Sequence, residues 1–229
     1  MNGTLHTVSW EGRSCACFSP EGEGSFPLLV LCGWHMEEKL PKFAAQLSPT
    51  LLFFAQADGD RDFTPWPAEG VREGETFTGE AEGYLRFLTE TALPRLEKEY
   101  QASPLPEHRA ILGYSLGGLF ALWAQTQGEW FQTAGSLSGS LWYPGWLDYS
   151  KAHPPRPGEK IYLSLGDREE FGGPPLLRAV GDCTRAAYTY YKEKGLDTLL
   201  EWNKGGHGKG MDARWEKALA WAVPRLGKE

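Results

Sequence analysis

The chain has 229 residues, 41% of them hydrophobic and 13% aromatic, which is enough apolar material for one sizeable core. A formal net charge of −7 leaves no basic field to hold phosphate backbones and argues against nucleic acid as a partner. No apolar run reaches membrane-spanning length and no basic segment precedes an apolar stretch at the start, so the reading is a soluble, unsecreted, cytoplasmic protein without a membrane partner, in one domain over residues 1–229.

The runs "TLHTVSW" and "RSCACFS", joined through Glu11 and Gly12, predict an antiparallel hairpin. "FPLLVLCGWH" and "TLLFFAQAD" are continuous apolar runs suited to strands buried on both faces, with a helix pattern, "EEKLPKFAAQL", between them. The segment "GDRDFTPWPAEGVREGETFTG" has no periodicity and reads as a long loop, a length usually kept for function. In "EAEGYLRFLTETALPRLEKEY", Tyr84, Phe87, Leu88 and Thr91 recur at helical spacing, with Pro94 as an expected kink.

"HRAILG" predicts a strand and the residues from Leu116 a helix. "TAGSLSGS" and "KIYLSLG" are further strands, "PPLLRAVGDCTRAAYTYYKEK" a long helix, "DTLLEW" a last strand and "DARWEKALAWAVPRL" a closing helix. Strands alternating with helices predict an α/β fold with a mostly parallel sheet covered on both faces, and ligands at the carboxyl ends of its strands. Cys15, Cys17, Cys32 and Cys183 lack metal-ligand spacing and read as reduced thiols.

The break between "HRAILG" and the next helix is Gly113-Tyr114-Ser115-Leu116-Gly117-Gly118. Gly-x-Ser-x-Gly carries little weight alone in a chain with 28 glycines, but here a strand precedes it and an apolar helix follows. Small residues at Gly113, Gly117 and Gly118 allow strand and helix to approach closely around a strained serine, and the helix aims the positive end of its dipole at that serine. The backbone N–H of Leu116 is then a natural oxyanion donor, and the loop after the early strand supplies a second candidate at Trp34. The plain alternative is a glycine-rich turn with an incidental serine.

A serine nucleophile needs a base, and the chain order expected on such a sheet is serine, acid, histidine. Of the histidines after Ser115, His153 lies in "KAHPPRPGEK" and reads as surface loop. His207 lies in "EWNKGGHGKGMD", after the last strand, and is the candidate base. Asp167, Glu169 and Glu170, all just beyond "KIYLSLG", remain open as the acid. His6, His35, His108, His153 and His207 are too scattered to suggest a metal centre.

These stretches, with "DRDFTPWP", "GYSLGGLFALWA" and "SLSGSLWYPGW", resemble the α/β-hydrolase superfamily. More narrowly, the chain is similar to the esterase family that includes enterochelin (siderophore) esterases and S-formylglutathione hydrolase-like proteins. The resemblance implies an α/β-hydrolase fold and chemistry that needs neither a metal nor an organic cofactor; the sequence departs from the larger enterochelin esterases in that no additional N-terminal domain and no large inserted lid are expected. It implies carboxylic ester hydrolysis through an acyl-enzyme on Ser115 with His207 as base, and it points to Glu169 as the acid, with Asp167 as the alternate and a Ser–His dyad as a further option. A small-molecule ester is the implied partner, with siderophore, short-chain acyl, feruloyl or acetyl, and S-formylglutathione esters as candidates. Arg61, Trp66, Trp142 and Tyr143 are the candidate substrate-binding residues. A binding protein that uses the fold without catalysis is the alternative of a different class.

Overall fold

The computed structural model describes residues 2–227; Met1, Lys228 and Glu229, which the expected domain includes, lie outside the described residues. Ten strands form: β1 (Gly3–Trp10), β2 (Arg13–Pro20), β3 (Leu28–Cys32), β4 (Leu51–Ala55), β5 (Ala68–Glu69), β6 (Thr76–Phe77), β7 (Arg109–Tyr114), β8 (Thr133–Leu137), β9 (Lys160–Gly166) and β10 (Asp197–Asn203). Eight of them make one sheet in the order β1-β2-β4-β3-β7-β8-β9-β10, and β5 pairs with β6 apart from it.

The first two strands form the predicted hairpin, with Trp10 opposite Arg13 and positive φ at both Glu11 and Gly12, as a two-residue turn of this kind requires. β2 also runs antiparallel to β4; within the eight-stranded sheet every pairing from β4 onward to β10 is parallel, while the separate β5–β6 pair is antiparallel.

Period-two alternation sends neighbouring residues of the central strands into two different cores. Leu28, Val30 and Cys32 face one with Leu51, Phe53 and Ile111. Leu29 and Leu31 face the other with Leu52, Phe54 and Leu112. The first core is closed by the helical segment 81–100 and the helices Leu116–Gln127, Trp146–Ala152 and Val180–Glu193; the second by the helices Leu40–Ala44 and Met211–Ala222.

Three local features refine or depart from the sequence expectation. The long segment after β4 contains a single turn of helix, Gly59–Asp62, and the β5–β6 pair. The segment 81–100 changes its winding at the expected kink: the turns from Phe87 to Ala92, just before Pro94, are π-helical, and the wider winding accommodates a residue without an N–H. The helix Trp146–Ala152 was not anticipated: it is short, follows Pro144, and starts from Gly145 at φ 81°. Among the described residues no helix is long and apolar enough to cross a membrane.

Candidate active site

Ser115 stands between β7 and the helix Leu116–Gln127 with φ 58° and ψ −122°, a conformation that side-chain-bearing residues rarely adopt. Main chain packed on main chain holds it there. A Cβ at Gly113 would lie 1.9 Å from the carbonyl oxygen of Gly117, and one at Gly117 would lie 2.2 Å from that of Cys32. The Ser115 N–H donates to Leu137, and its carbonyl accepts from Gly118, Leu119 and Ser140, so the corner is tied to the exit of β8 as well as to its own helix.

His207 reaches this corner from the loop after β10. Its Nε2 lies 3.0 Å from Ser115 Oγ and its Nδ1 lies 2.8 Å from Glu169 Oε2. An ionised carboxylate only accepts, so Nδ1 carries the hydrogen and Nε2 is left to accept the serine proton. The loop is anchored on both sides of the imidazole: the Gly205 N–H donates to Asp167 Oδ1 at 2.8 Å, and the Tyr114 hydroxyl donates to the His207 carbonyl.

Glu169 lies on a turn of 3-10 helix, Glu169–Phe171, with its side chain only 3% exposed. Its other oxygen, Oε1, accepts from the Gly166 N–H at 2.7 Å, from the Ser138 hydroxyl at 2.8 Å and from Arg214 Nη1 at 2.6 Å. Burial pushes the carboxyl up, but the bonds from His207, Gly166 and Ser138 outweigh it and hold it below the usual range. The neighbouring acids turn elsewhere: Asp167 to Gly205, and Glu170 to Arg185 at 2.6 Å. Ser138 and Arg214 were not singled out from sequence; the readable signal for Arg214 is a charge at the spacing of the buried stripe Ala218 and Ala222.

A cleft of about 650 Å³ opens over Ser115 and His207, lined among others by Trp34, Phe77, Leu116, Trp142, Arg168 and Leu177. Leu116 and Trp34 thus border the space above the serine. Of the four candidate substrate contacts, Trp142 lines the cleft and the other three do not. Arg61 is bonded to the buried Asp62 and borders a separate hollow with Glu11 and Arg13. Tyr143 is buried, donating its hydroxyl to the Trp66 carbonyl at 2.5 Å, while Trp66 Nε1 donates to the Pro144 carbonyl at 2.8 Å. Those two aromatics join loop to loop beside the cleft.

Three of the four cysteines are buried, and burial pushes the Cys15 thiol to about 11 and the Cys17 thiol to about 12, so neither is a thiolate at neutral pH. His153 ends the helix Trp146–Ala152 and stacks on Tyr149 at 4.0 Å. The arrangement at Ser115 can pass a proton from a hydroxyl to an imidazole whose far side is held by a carboxylate.

The family model described as "Putative esterase" matches residues 34–226. The chain belongs to that esterase family. This esterase is 30% identical over 189 residues to the uncharacterized protein YbbA of Bacillus subtilis (strain 168), covering 78% of this chain and 76% of YbbA. It is 44% identical over 124 residues to the ferri-bacillibactin esterase BesA of the same bacterium, covering 52% of this chain and 39% of BesA. The solved structure of an IroE-like serine hydrolase from Shewanella oneidensis matches it with a TM-score of 0.80 at 17% identity, over 97% of this chain and 80% of that one. At that identity the likeness shows the fold, and this esterase has the α/β-hydrolase fold.

Proposed function

We propose that this esterase cleaves carboxylic esters through an acyl-enzyme on Ser115. The observation that carries the reading is the continuous chain from Ser115 Oγ to His207 Nε2 and from His207 Nδ1 to Glu169 Oε2, at 3.0 and 2.8 Å. Ser115 Oγ attacks the ester carbonyl carbon as His207 takes its proton, and the carbonyl oxygen gains the negative charge. The backbone N–H groups of Leu116 and Trp34 receive that oxyanion. The intermediate collapses, the C–O bond to the alcohol breaks, and His207 gives the alcohol its proton. A water molecule, deprotonated by His207, then attacks the acyl carbon, the C–O bond to Ser115 Oγ breaks, and His207 returns the proton to the serine oxygen as the acid leaves.

For substrate we propose bulky esters bearing aromatic groups, of the siderophore type. Support comes from the stretch 44% identical to a ferri-bacillibactin esterase and from a cleft walled by Trp34, Phe77 and Trp142. A cytoplasmic location fits four cysteines without disulfide partners.

Mass spectrometry of the protein quenched during turnover of p-nitrophenyl butyrate tests the mechanism: the expected adduct is a butyryl group on Ser115, and full turnover by Ser115→Ala overturns it. A panel of a catecholate trilactone, simple acyl esters, feruloyl esters and S-formylglutathione tests the substrate reading. The trilactone is expected to give the highest kcat/KM, and a higher value for any other substrate overturns the siderophore assignment.

A further inference from the structure

Arg214 stands on the first turn of the helix Met211–Ala222 with its side chain 1% exposed. Its guanidinium reaches the carboxyl ends of the four last strands of the sheet. Nη1 donates to Glu169 Oε1 at 2.6 Å, to the Tyr114 hydroxyl oxygen at 3.1 Å and to Ser138 Oγ, while Nη2 donates to the Gly206 carbonyl at 2.9 Å. Tyr114 precedes Ser115 and Gly206 precedes His207. One planar group therefore touches Glu169 itself and the chain neighbours of the other two residues in the Ser115–His207–Glu169 array.

Stability alone is a poor account of this placement. Burying an arginine and a carboxylate forfeits the hydration of both, and well-packed apolar residues usually serve stability as well or better. Arg214 Nε, moreover, finds no acceptor among the described residues, so the group is oriented for what Nη1 and Nη2 hold. The five-donor fork of arginine suits this work and a lysine ammonium does not.

We propose that Arg214 is a positioning residue of the esterase reaction, holding Glu169 with Oε2 turned to His207 and fixing the loop on which His207 stands; the inference rests on the triad reading above. Facing Glu169 are His207 from the loop after β10, Arg214 from its helix, Ser138 and Tyr114 from the ends of β8 and β7, and the Gly166 N–H. Asp167 and Glu170 are engaged with Gly205 and Arg185, and Arg168 borders the cleft. With Arg214 removed, burial meets less opposition, Glu169 takes up a proton at higher pH, and the acid limb of kcat moves toward neutrality.

The test is steady-state hydrolysis of p-nitrophenyl butyrate from about pH 5 to about pH 9. It uses wild type, Arg214→Met, Arg214→Lys, Glu169→Gln and the Arg214→Met/Glu169→Gln double variant, with circular dichroism to check folding. Arg214→Met is expected to lower kcat about 100-fold at neutral pH with KM changed less than about threefold, and to raise the acid limb. The double variant is expected to be no slower than the slower single variant, because both changes remove one function. Arg214→Lys is expected to restore the position of the acid limb but only part of kcat. A folded Arg214→Met with wild-type kcat and pH profile overturns the proposal, as do single losses that multiply in the double variant, or a change confined to KM. If Arg214→Met fails to fold, the double variant, which leaves neither charge unpaired, decides: activity equal to Glu169→Gln supports the role, and lower activity overturns it. Full activity in Ser115→Ala means that the triad reading itself has failed. An inactive Ser115→Ala beside wild-type behaviour in the Arg214 variants means that only the role of Arg214 has failed.

Discussion

His207 Nδ1 lies 2.8 Å from Glu169 Oε2, while Asp167 and Glu170 of the same loop are bonded to Gly205 and Arg185. Glu169→Gln is therefore expected to lower kcat by about 10² to 10⁴, the range for losing acid–base assistance. Asp167→Asn and Glu170→Gln are each expected to stay within about tenfold of wild type, since Asp167 bonds the Gly205 N–H and Glu170 bonds Arg185, neither of them the imidazole. Initial rates with p-nitrophenyl butyrate check this, and a larger loss in Asp167→Asn than in Glu169→Gln contradicts it.

The crossing of backbones at the corner before Ser115 gives a stability prediction. A Cβ at Gly113 meets the Gly117 carbonyl at 1.9 Å, and backbone cannot rotate aside as a side chain can. Gly113→Ala is expected to destabilise by about 3 kcal/mol, at the upper end of overpacking costs. Gly83 lies in the helix Ala81–Arg86 with nothing within 4 Å of an added Cβ, so Gly83→Ala is expected to stabilise by about 0.5–1 kcal/mol. Thermal or urea unfolding compares the two, and equal effects contradict the steric account.

The loop after β4 carries a pH prediction. Asp62 is buried between Arg13, at 2.6 Å, and Arg61, at 3.0 Å. Burial pushes its carboxyl up, but Arg13, Arg61 and the Asp58 N–H pull it further down, leaving it below the usual range. A depressed folded-state value stabilises the protein fully above the unfolded value, near about 4, and that contribution fades as pH falls through the depressed one. Asp62→Asn is expected to cost about 3 kcal/mol at neutral pH, with the gap to wild type closing under acid conditions. A gap that widens on acidification in urea unfolding contradicts the assignment.

Aromatic residues near the serine separate into wall and brace. Trp142 borders the cleft, so Trp142→Ala is expected to raise KM for aryl-bearing esters about tenfold while leaving p-nitrophenyl acetate nearly unchanged. Trp66 and Tyr143 bond one another's loops, so Tyr143→Phe is expected to lower the melting temperature more than it alters KM. Kinetics and thermal melts of both variants check the division.

Much of this was legible in the chain because it rests on local pattern. Glycines at 113, 117 and 118 mark where a strand meets a helix at van der Waals distance, and the parallel strand direction places the loop of His207 at the same carboxyl end of the sheet. The sequence left Asp167, Glu169 and Glu170 open because they share one loop, and the 3-10 turn is what brings Glu169, rather than its neighbours, to His207. Arg61 read as a cleft cation because a charge in a long loop carries no direction; its partner Asp62 turns it away. Arg214 was hidden because its significance depends on which strand ends its helix passes, a tertiary relation that helical periodicity does not encode.

Tyr114 ties two parts of the molecule that are usually considered separately. Its ring packs 6.4 Å from Trp215, which in turn lies 6.5 Å from Phe43, and its hydroxyl holds the backbone of His207. Under the proposed mechanism the smaller core acts as a gauge block for His207: a change of volume at Phe43 or Trp215 is expected to move the embedded ring, and with it the distance from the imidazole to Ser115. Apolar residues well away from the cleft are then expected to influence turnover as well as melting temperature.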